Sequence, residues 1–116
     1  LFRSQVYQAK YGTDLCHQHQ ISKNLFFILQ GEVKITKELD GKEIVLGTLG
    51  AGDIIGEISA LFSAPRIATV TTSKPSLILE MGKDDFIKLL EKTPNMKEVV
   101  YKQLSKRKLK TAIQTQ

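Results

Sequence analysis

Two charged side chains interrupt an apolar stretch in the middle of the chain. The segment GEISALFSAPRIATV, residues 56–70, holds eight residues drawn from Ile, Ala, Leu, Phe and Val, together with Glu57 and Arg66. A charge in apolar surroundings without a compensating group is strongly unfavourable. We therefore expect each of the two to meet water, the other charge or a ligand.

The spacing of this segment is typical of an anion site. If residues 57–61 form one short helical turn, Gly56 lets a ligand approach the backbone, and the N–H groups that follow point outward. Pro65 stiffens the chain before Arg66, whose guanidinium is a rigid fork of donors for phosphate oxygens. Glu57 offers acceptors for adjacent sugar hydroxyls. The segment therefore predicts a sugar-phosphate site.

The number of cations in the segment limits the charge of that ligand. A cyclic phosphodiester carries one negative charge, which one guanidinium and several backbone N–H groups can balance. A triphosphate needs more cations and usually a metal ion, and the sequence has neither a Gly-Lys-Ser/Thr loop nor an Asp cluster for Mg²⁺. A singly charged ligand is expected.

Strand patterns surround the segment and helical patterns follow it. Alternating or continuous apolar runs predict strands within residues 5–21, 24–31, 32–50, 66–72 and 76–81. Asp40-Gly41 is a pair that adopts the positive φ of a tight hairpin turn. From Lys83 the apolar residues recur three and four apart, which predicts helices over about 83–92 and 95–113, separated at Thr93-Pro94. This order favours an α+β fold or a barrel with appended helices.

Composition and charge narrow the class of protein. The chain of 116 residues is 41% hydrophobic and 25% charged, as expected for one soluble domain, and no window suits a membrane span or a signal peptide. Cys16 is the sole cysteine, which excludes an internal disulfide and favours a cytoplasmic setting. The net charge of +5 arises entirely in residues 97–116, so we interpret it as a solvated helix face and do not expect direct nucleic-acid binding.

In order and spacing, residues 24–104 resemble the cyclic nucleotide-binding domain family. The resemblance rests on Gly56-Glu57, the apolar segment after it, Arg66 ten residues after Gly56, and the flanking sequences FFILQGEVKI and LILEMGKDDFIKLL. It implies a mainly β fold, a double-stranded β-helix or jelly-roll-like β-roll over about 3–82, with a short cassette helix and C-terminal helices. All 116 residues would form a single domain of a longer protein.

The resemblance also implies roles for individual residues. Arg66 would bind the exocyclic phosphate oxygens, and Glu57 would bind the ribose 2′-hydroxyl. The remaining expected contacts are the backbone of the cassette, at Gly56, Ile58, Ser59 and Ile67, and two apolar neighbours of the base, Val33 and Leu49. Members that favour cGMP often have Thr directly after the arginine, and Ile67 stands there instead, so cAMP is expected in preference to cGMP.

A second stretch, CHQH at residues 16–19, suits other chemistry. Strand alternation would place His17 and His19 on one face, where two imidazoles could hold a metal ion, as in metal-binding cupins. Lys and Asn stand where the cupin Glu is expected, however, and the chain has no third histidine. We interpret both histidines as exposed strand residues. Cys16 has no orienting third group and is not expected to be a nucleophile.

These features predict a regulatory sensor rather than an enzyme. The sensor would bind cAMP, need no metal or other cofactor, and transmit occupancy through its C-terminal helices to an effector domain or subunit outside this sequence. A β-roll interaction module that binds no nucleotide, and a cupin-like metal-binding protein, remain the alternatives. For Arg66→Ala the prediction is an affinity loss of about tenfold to a hundredfold with little change in unfolding temperature.

Overall fold

The computed structural model describes residues 4–56, 64–99 and 102 of the chain. These residues form eight strands and one complete helix, α1, which spans Lys83–Lys92; residues 94–99 are helical as well. The strands are β1 Gln5–Ala9, β2 Asp14–Cys16, β3 Asn24–Gln30, β4 Glu32–Leu39, β5 Lys42–Gly50, β6 Ile54–Ile55, β7 Thr69–Thr72 and β8 Ser76–Gly82. Neither helical segment in the described ranges is long and apolar enough to cross a membrane.

The strands pair into two antiparallel four-stranded sheets. The first has the order β1-β8-β3-β6 and the second the order β2-β7-β4-β5, so the chain passes from one sheet to the other between most consecutive strands. This is the strand order of a jelly roll. It confirms the predicted mainly β fold, a β-roll with appended helices.

The main core lies between the two sheets. Buried side chains of β1, β3, β6 and β8 pack against those of β2, β4 and β7, and the cluster comprises Ala9, Cys16, Phe26, Ile28, Val33, Ile55, Val70 and Ile78. In β3 the side chains alternate, so Phe26 and Ile28 face this core while Leu25 and Phe27 face the opposite side of the sheet. Residues 25–28 of this apolar run therefore contribute to both cores.

The second core joins the outer face of the first sheet to α1. Phe86 of the helix is fully buried with Leu25, Ile54 and Met81, and its ring lies 6.0 Å from that of Phe27 at a tilt of 57°. Tilted aromatic pairs at this distance are favourable. The first helical residue is also tied to the sheet, because the Lys83 N–H donates to the Lys23 carbonyl at 2.8 Å.

Local signals in the sequence correspond closely to these elements. The predicted hairpin is confirmed: β4 and β5 meet at Asp40 and Gly41, with φ values of 54° and 76°. The helix beginning at Lys83 is confirmed as well, whereas β7 begins at Thr69 and not at Arg66. The predicted cassette helix and most of the predicted helix 95–113 lie outside the described residues, and the domain limits stay a prediction.

Candidate functional site

Arg66 is held in place by its backbone just before β7. Its N–H donates to the Gln20 carbonyl at 2.8 Å, and its carbonyl accepts from the His19 N–H at 2.8 Å. These two bonds fasten the residue to the turn that follows β2. Arg66 is only 3% exposed, so the arginine side chain is enclosed by the fold rather than spread over its surface.

The guanidinium of Arg66 joins two distant parts of the chain. Nη1 donates to the Gly56 carbonyl at 2.9 Å, and Nη2 donates to the carbonyl of Asn24, the first residue of β3. Hydrogen bonds from a charged donor are stronger than those between neutral groups. Arg66 therefore has a structural role in addition to its predicted role in binding, and its replacement should lower stability, contrary to the expectation from sequence.

Gly56 fits against this guanidinium because it has no side chain. Its φ is +81°, and a Cβ at this position would lie 1.9 Å from Nη1 of Arg66 and 2.8 Å from Cζ. Both the conformation and the close approach favour glycine. Gly56 is predicted from the sequence to allow the close approach of a ligand; in the structure the group that approaches it closely is the guanidinium of Arg66, and the contact of Gly56 with a nucleotide stays a prediction.

The other described candidates differ in how deeply they are buried. The Ile67 side chain is 52% exposed beside Arg66. Val33 of β4 and Leu49 of β5 are direct cross-strand neighbours, with Val33 fully buried in the main core and Leu49 packed against it. Their proposed contact with the base stays a prediction. Glu57, Ile58 and Ser59 lie outside the described residues, so their assigned roles stay predictions too.

The interpretation of His17 and His19 as strand residues is wrong. Strand β2 ends at Cys16, and both histidines are exposed in the turn that follows, where His19 has a φ of 72°. His17 lies 3.7 Å from a carboxylate oxygen of Asp14. Within the described residues no cluster of three His, Cys, Asp or Glu side chains could hold a metal ion. What this turn does is fix the Arg66 backbone.

Sequence reasoning missed two polar residues behind the guanidinium. The Asn24 side-chain amide donates to Glu80 Oε2 at 2.8 Å, and the Tyr7 hydroxyl lies 3.3 Å from Glu80 Oε1. A polar side chain in each of the apolar runs NLFFIL and SLILEM was the available signal. The pairing itself was not accessible, because residues 24 and 80 are far apart in the sequence.

Cys16 is part of the core and not of a reactive site. Its side chain is 3% exposed, and burial raises the pKa of the thiol, an effect that the nearby Arg66 charge only partly offsets. A thiol with a raised pKa forms little thiolate near neutral pH. The structure therefore gives this cysteine no features of a nucleophile.

Comparison with known proteins places the chain in one family. A model of the cyclic nucleotide-binding domain matches residues 7–93, well over half of the chain. Among curated proteins, the cAMP-dependent protein kinase regulatory subunit of Yarrowia lipolytica is 34% identical over 79 residues, which are 68% of this chain and 20% of that protein.

Two solved structures show the same architecture. A cyclic nucleotide-binding domain from Methylobacillus flagellatus KT is 29% identical with a TM-score of 0.74, covering 89% of this chain and 58% of that chain. The regulatory domain of Toxoplasma gondii PKA, solved with cAMP, is 33% identical with a TM-score of 0.69, covering 73% of this chain and 33% of that chain. The chain thus spans a minor part of both kinase-related proteins.

Proposed function

The chain belongs to the cyclic nucleotide-binding domain family, and from this premise we propose that it binds cAMP at the segment from Gly56 to Arg66. The observation that carries the proposal is the buried guanidinium of Arg66, which donates to the Gly56 carbonyl at 2.9 Å. A cyclic phosphodiester has a single negative charge. One fixed guanidinium with the backbone N–H groups after Gly56 is a matching set of donors.

Preorganisation is the energetic advantage of this arrangement. A free arginine side chain loses about 2 kcal/mol of rotamer entropy when it is immobilised. Here the contacts with Gly56 and Asn24, and the backbone bonds to the turn at residues 19–20, fix the side chain within the fold itself. The ligand therefore does not have to order the cation, which favours affinity.

The sugar and base would be held by residues on either side of the phosphate site. We assign the ribose 2′-hydroxyl to the Glu57 carboxylate and the phosphate oxygens to the backbone around Ile58 and Ser59 as well as to Arg66. The base would contact the apolar pair formed by Val33 and Leu49 through Leu49, which is partly buried, while Val33 is fully buried in the main core beside it. These contacts are those that the family resemblance implies.

Selectivity for cAMP over cGMP follows from the residue after the arginine. Ile67 has no hydroxyl with which to bond the 2-amino side of guanine, whereas an apolar side chain tolerates adenine. Two relatives are consistent with this choice, since one is named for dependence on cAMP and the other was solved with cAMP. cGMP is the second candidate ligand.

We further infer that the chain acts as a regulatory sensor, with its output outside this sequence. The kinase regulatory subunit that it resembles is about five times longer than the matched part. The helices after residue 82 would transmit occupancy to an effector domain or subunit, which requires the ligand to favour one helix arrangement over another. The buried free thiol of Cys16 supports a cytoplasmic location.

Calorimetric titration tests this function directly. The purified chain is titrated with cAMP, cGMP and 2′-deoxy-cAMP, and the order of affinity expected is cAMP first, with a clear loss for the deoxy analogue if Glu57 binds the 2′-hydroxyl. Arg66→Ala should weaken cAMP binding by about tenfold to a hundredfold. Lys74→Ala, which removes the same charge from an exposed position, is the matched control.

The stability of each variant decides how an affinity loss is interpreted. Because Arg66 is buried and bonded to two backbone carbonyls, Arg66→Ala should also lower the unfolding free energy, by about 2–4 kcal/mol. Titrations are therefore performed below the unfolding transition of each variant. A folded wild-type chain that binds none of the three nucleotides would refute the proposal and favour an interaction module.

A further inference from the structure

We propose that Asn24 is a positioning residue for the phosphate-binding guanidinium, and that Glu80 and Tyr7 fix Asn24 for this purpose. The inference rests on the function proposed above and adds three residues to it. None of the three is expected to touch the nucleotide. Each would act through the orientation of Arg66.

The contacts form one continuous chain across the first sheet. The Tyr7 hydroxyl of β1 lies 3.3 Å from Glu80 Oε1, and the Asn24 amide of β3 donates to Glu80 Oε2 at 2.8 Å. The carbonyl of the same Asn24 then accepts from Nη2 of Arg66. The Glu80 carboxylate on β8 thus accepts hydrogen bonds from both neighbouring strands, and Asn24 links it to the guanidinium of Arg66.

Asn24 is unusually constrained for the first residue of a strand. Its backbone N–H lies 3.2 Å from Ser22 Oγ, its side chain donates to Glu80, and its Cα is paired with Gly82 of β8. These contacts fix the direction in which its carbonyl points. Since strand ends fray readily, we infer that the amide-to-carboxylate bond keeps this carbonyl aimed at Arg66.

Glu80 is well placed to act as a rigid acceptor. It lies on β8, which pairs with β1 at Gln5 and with β3 at Phe26, so its backbone is held on both sides. Burial and the adjacent Glu80 carboxylate both raise the pKa of Tyr7, so the hydroxyl stays a proton donor over the physiological range. Loss of either donor removes one of the two contacts that fix the orientation of the carboxylate.

The inference requires a readout that a general loss of stability would not change. In the chain without nucleotide, the Arg66 Nε–Hε resonance is measured by NMR for the wild type, Asn24→Ala and Glu80→Gln. We expect this resonance to shift or broaden in both variants. Gln30→Ala, an amide truncation at the exposed other end of the same strand, should leave it unchanged.

The binding arm is a double-mutant cycle with cAMP. Asn24→Ala should weaken binding by about three- to tenfold in the wild-type background. In the Arg66→Lys background the same substitution should have no further effect, because a lysine cannot present the planar fork that Asn24 orients. Tyr7→Phe is the mildest change and should lower the affinity for cAMP less than Asn24→Ala does. It is titrated instead if Asn24→Ala is too unstable.

Each outcome separates the inference from the proposed function. If the wild type does not bind cAMP, the function fails, while the Arg66 resonance still tests the positioning role. If the wild type binds cAMP but Asn24→Ala leaves both the affinity and the resonance unchanged, the positioning role is refuted. An equal loss of affinity in the two backgrounds would also refute it, since Asn24 would then act independently of Arg66.

Discussion

Gly12 and Gly56 allow the structural role of Arg66 to be measured with a single methyl group. The two glycines have nearly the same φ, +82° and +81°. A Cβ at Gly12 would have no atom within 4 Å, whereas a Cβ at Gly56 would lie 1.9 Å from Nη1 of Arg66. Alanine therefore has a similar cost from positive φ at both positions, but only Gly56→Ala displaces the guanidinium.

The difference between the two variants gives the energy of that displacement. The positive φ costs about 1–2 kcal/mol for alanine at either site. Moving the guanidinium breaks at least its bond to the Gly56 carbonyl, and a bond from a charged donor contributes about 1.5–3 kcal/mol. We therefore expect Gly56→Ala to be less stable than Gly12→Ala by about 1.5–3 kcal/mol, the value of that bond.

Urea unfolding of the wild type and both variants measures this difference, with equal slopes against urea required for the comparison. A cAMP titration of the folded variants adds a second readout, in which Gly56→Ala should bind at least about tenfold more weakly and Gly12→Ala as well as the wild type. If the two variants were equally stable, Arg66 would move aside without cost, and its assigned structural role would be refuted.

Three further predictions concern other parts of the molecule. Burial and the Glu80 carboxylate raise the pKa of Tyr7 to about 12 from 10.0. Because the unfolded chain then loses the Tyr7 proton at lower pH than the folded chain, the contribution of Tyr7 to the free energy of unfolding is complete below pH 10 and should be lost between pH 10 and 12. Urea unfolding should show a shallower decline in Tyr7→Phe; parallel curves would contradict this assignment. Cys16, buried with a raised thiol pKa, should react with a thiol reagent only as fast as the chain opens, and rapid labelling of the native protein would exclude its burial. Ile67→Thr should raise the affinity for cGMP relative to cAMP by about two- to tenfold, whereas the exposed control Ile21→Thr should not; an unchanged ratio would remove Ile67 from the selectivity argument.

The features that the sequence predicted well depend on residues close together in the chain. Asp40-Gly41 specifies its own turn through positive φ values, and the repeat of apolar residues after Lys83 specifies its own helix. That Gly56 and Arg66 belong to one segment was also accessible from their spacing, although their direct contact was not predicted. Local chemistry was sufficient in each case.

The features that were missed depend on long-range packing. The alternation of His17 and His19 looks like a strand, but β2 stops at Cys16 because the next residues turn to bond the backbone of Arg66. The guanidinium of the buried Arg66 donates to the carbonyl of Asn24, which lies 42 positions away in the sequence. No periodicity in a single strand reports which distant strand will lie beside it.

The entry to β3 has a mechanical consequence. Two consecutive carbonyls accept hydrogen bonds from different parts of the fold. The Lys23 carbonyl accepts from the first N–H of α1, and the Asn24 carbonyl accepts from the guanidinium of Arg66. The two carbonyls belong to adjacent rigid peptide planes that share the Cα of Asn24, so a backbone rotation at Asn24 changes the direction of one attachment relative to the other. The first residue of the helix and the guanidinium of Arg66 are thus attached to the same dipeptide.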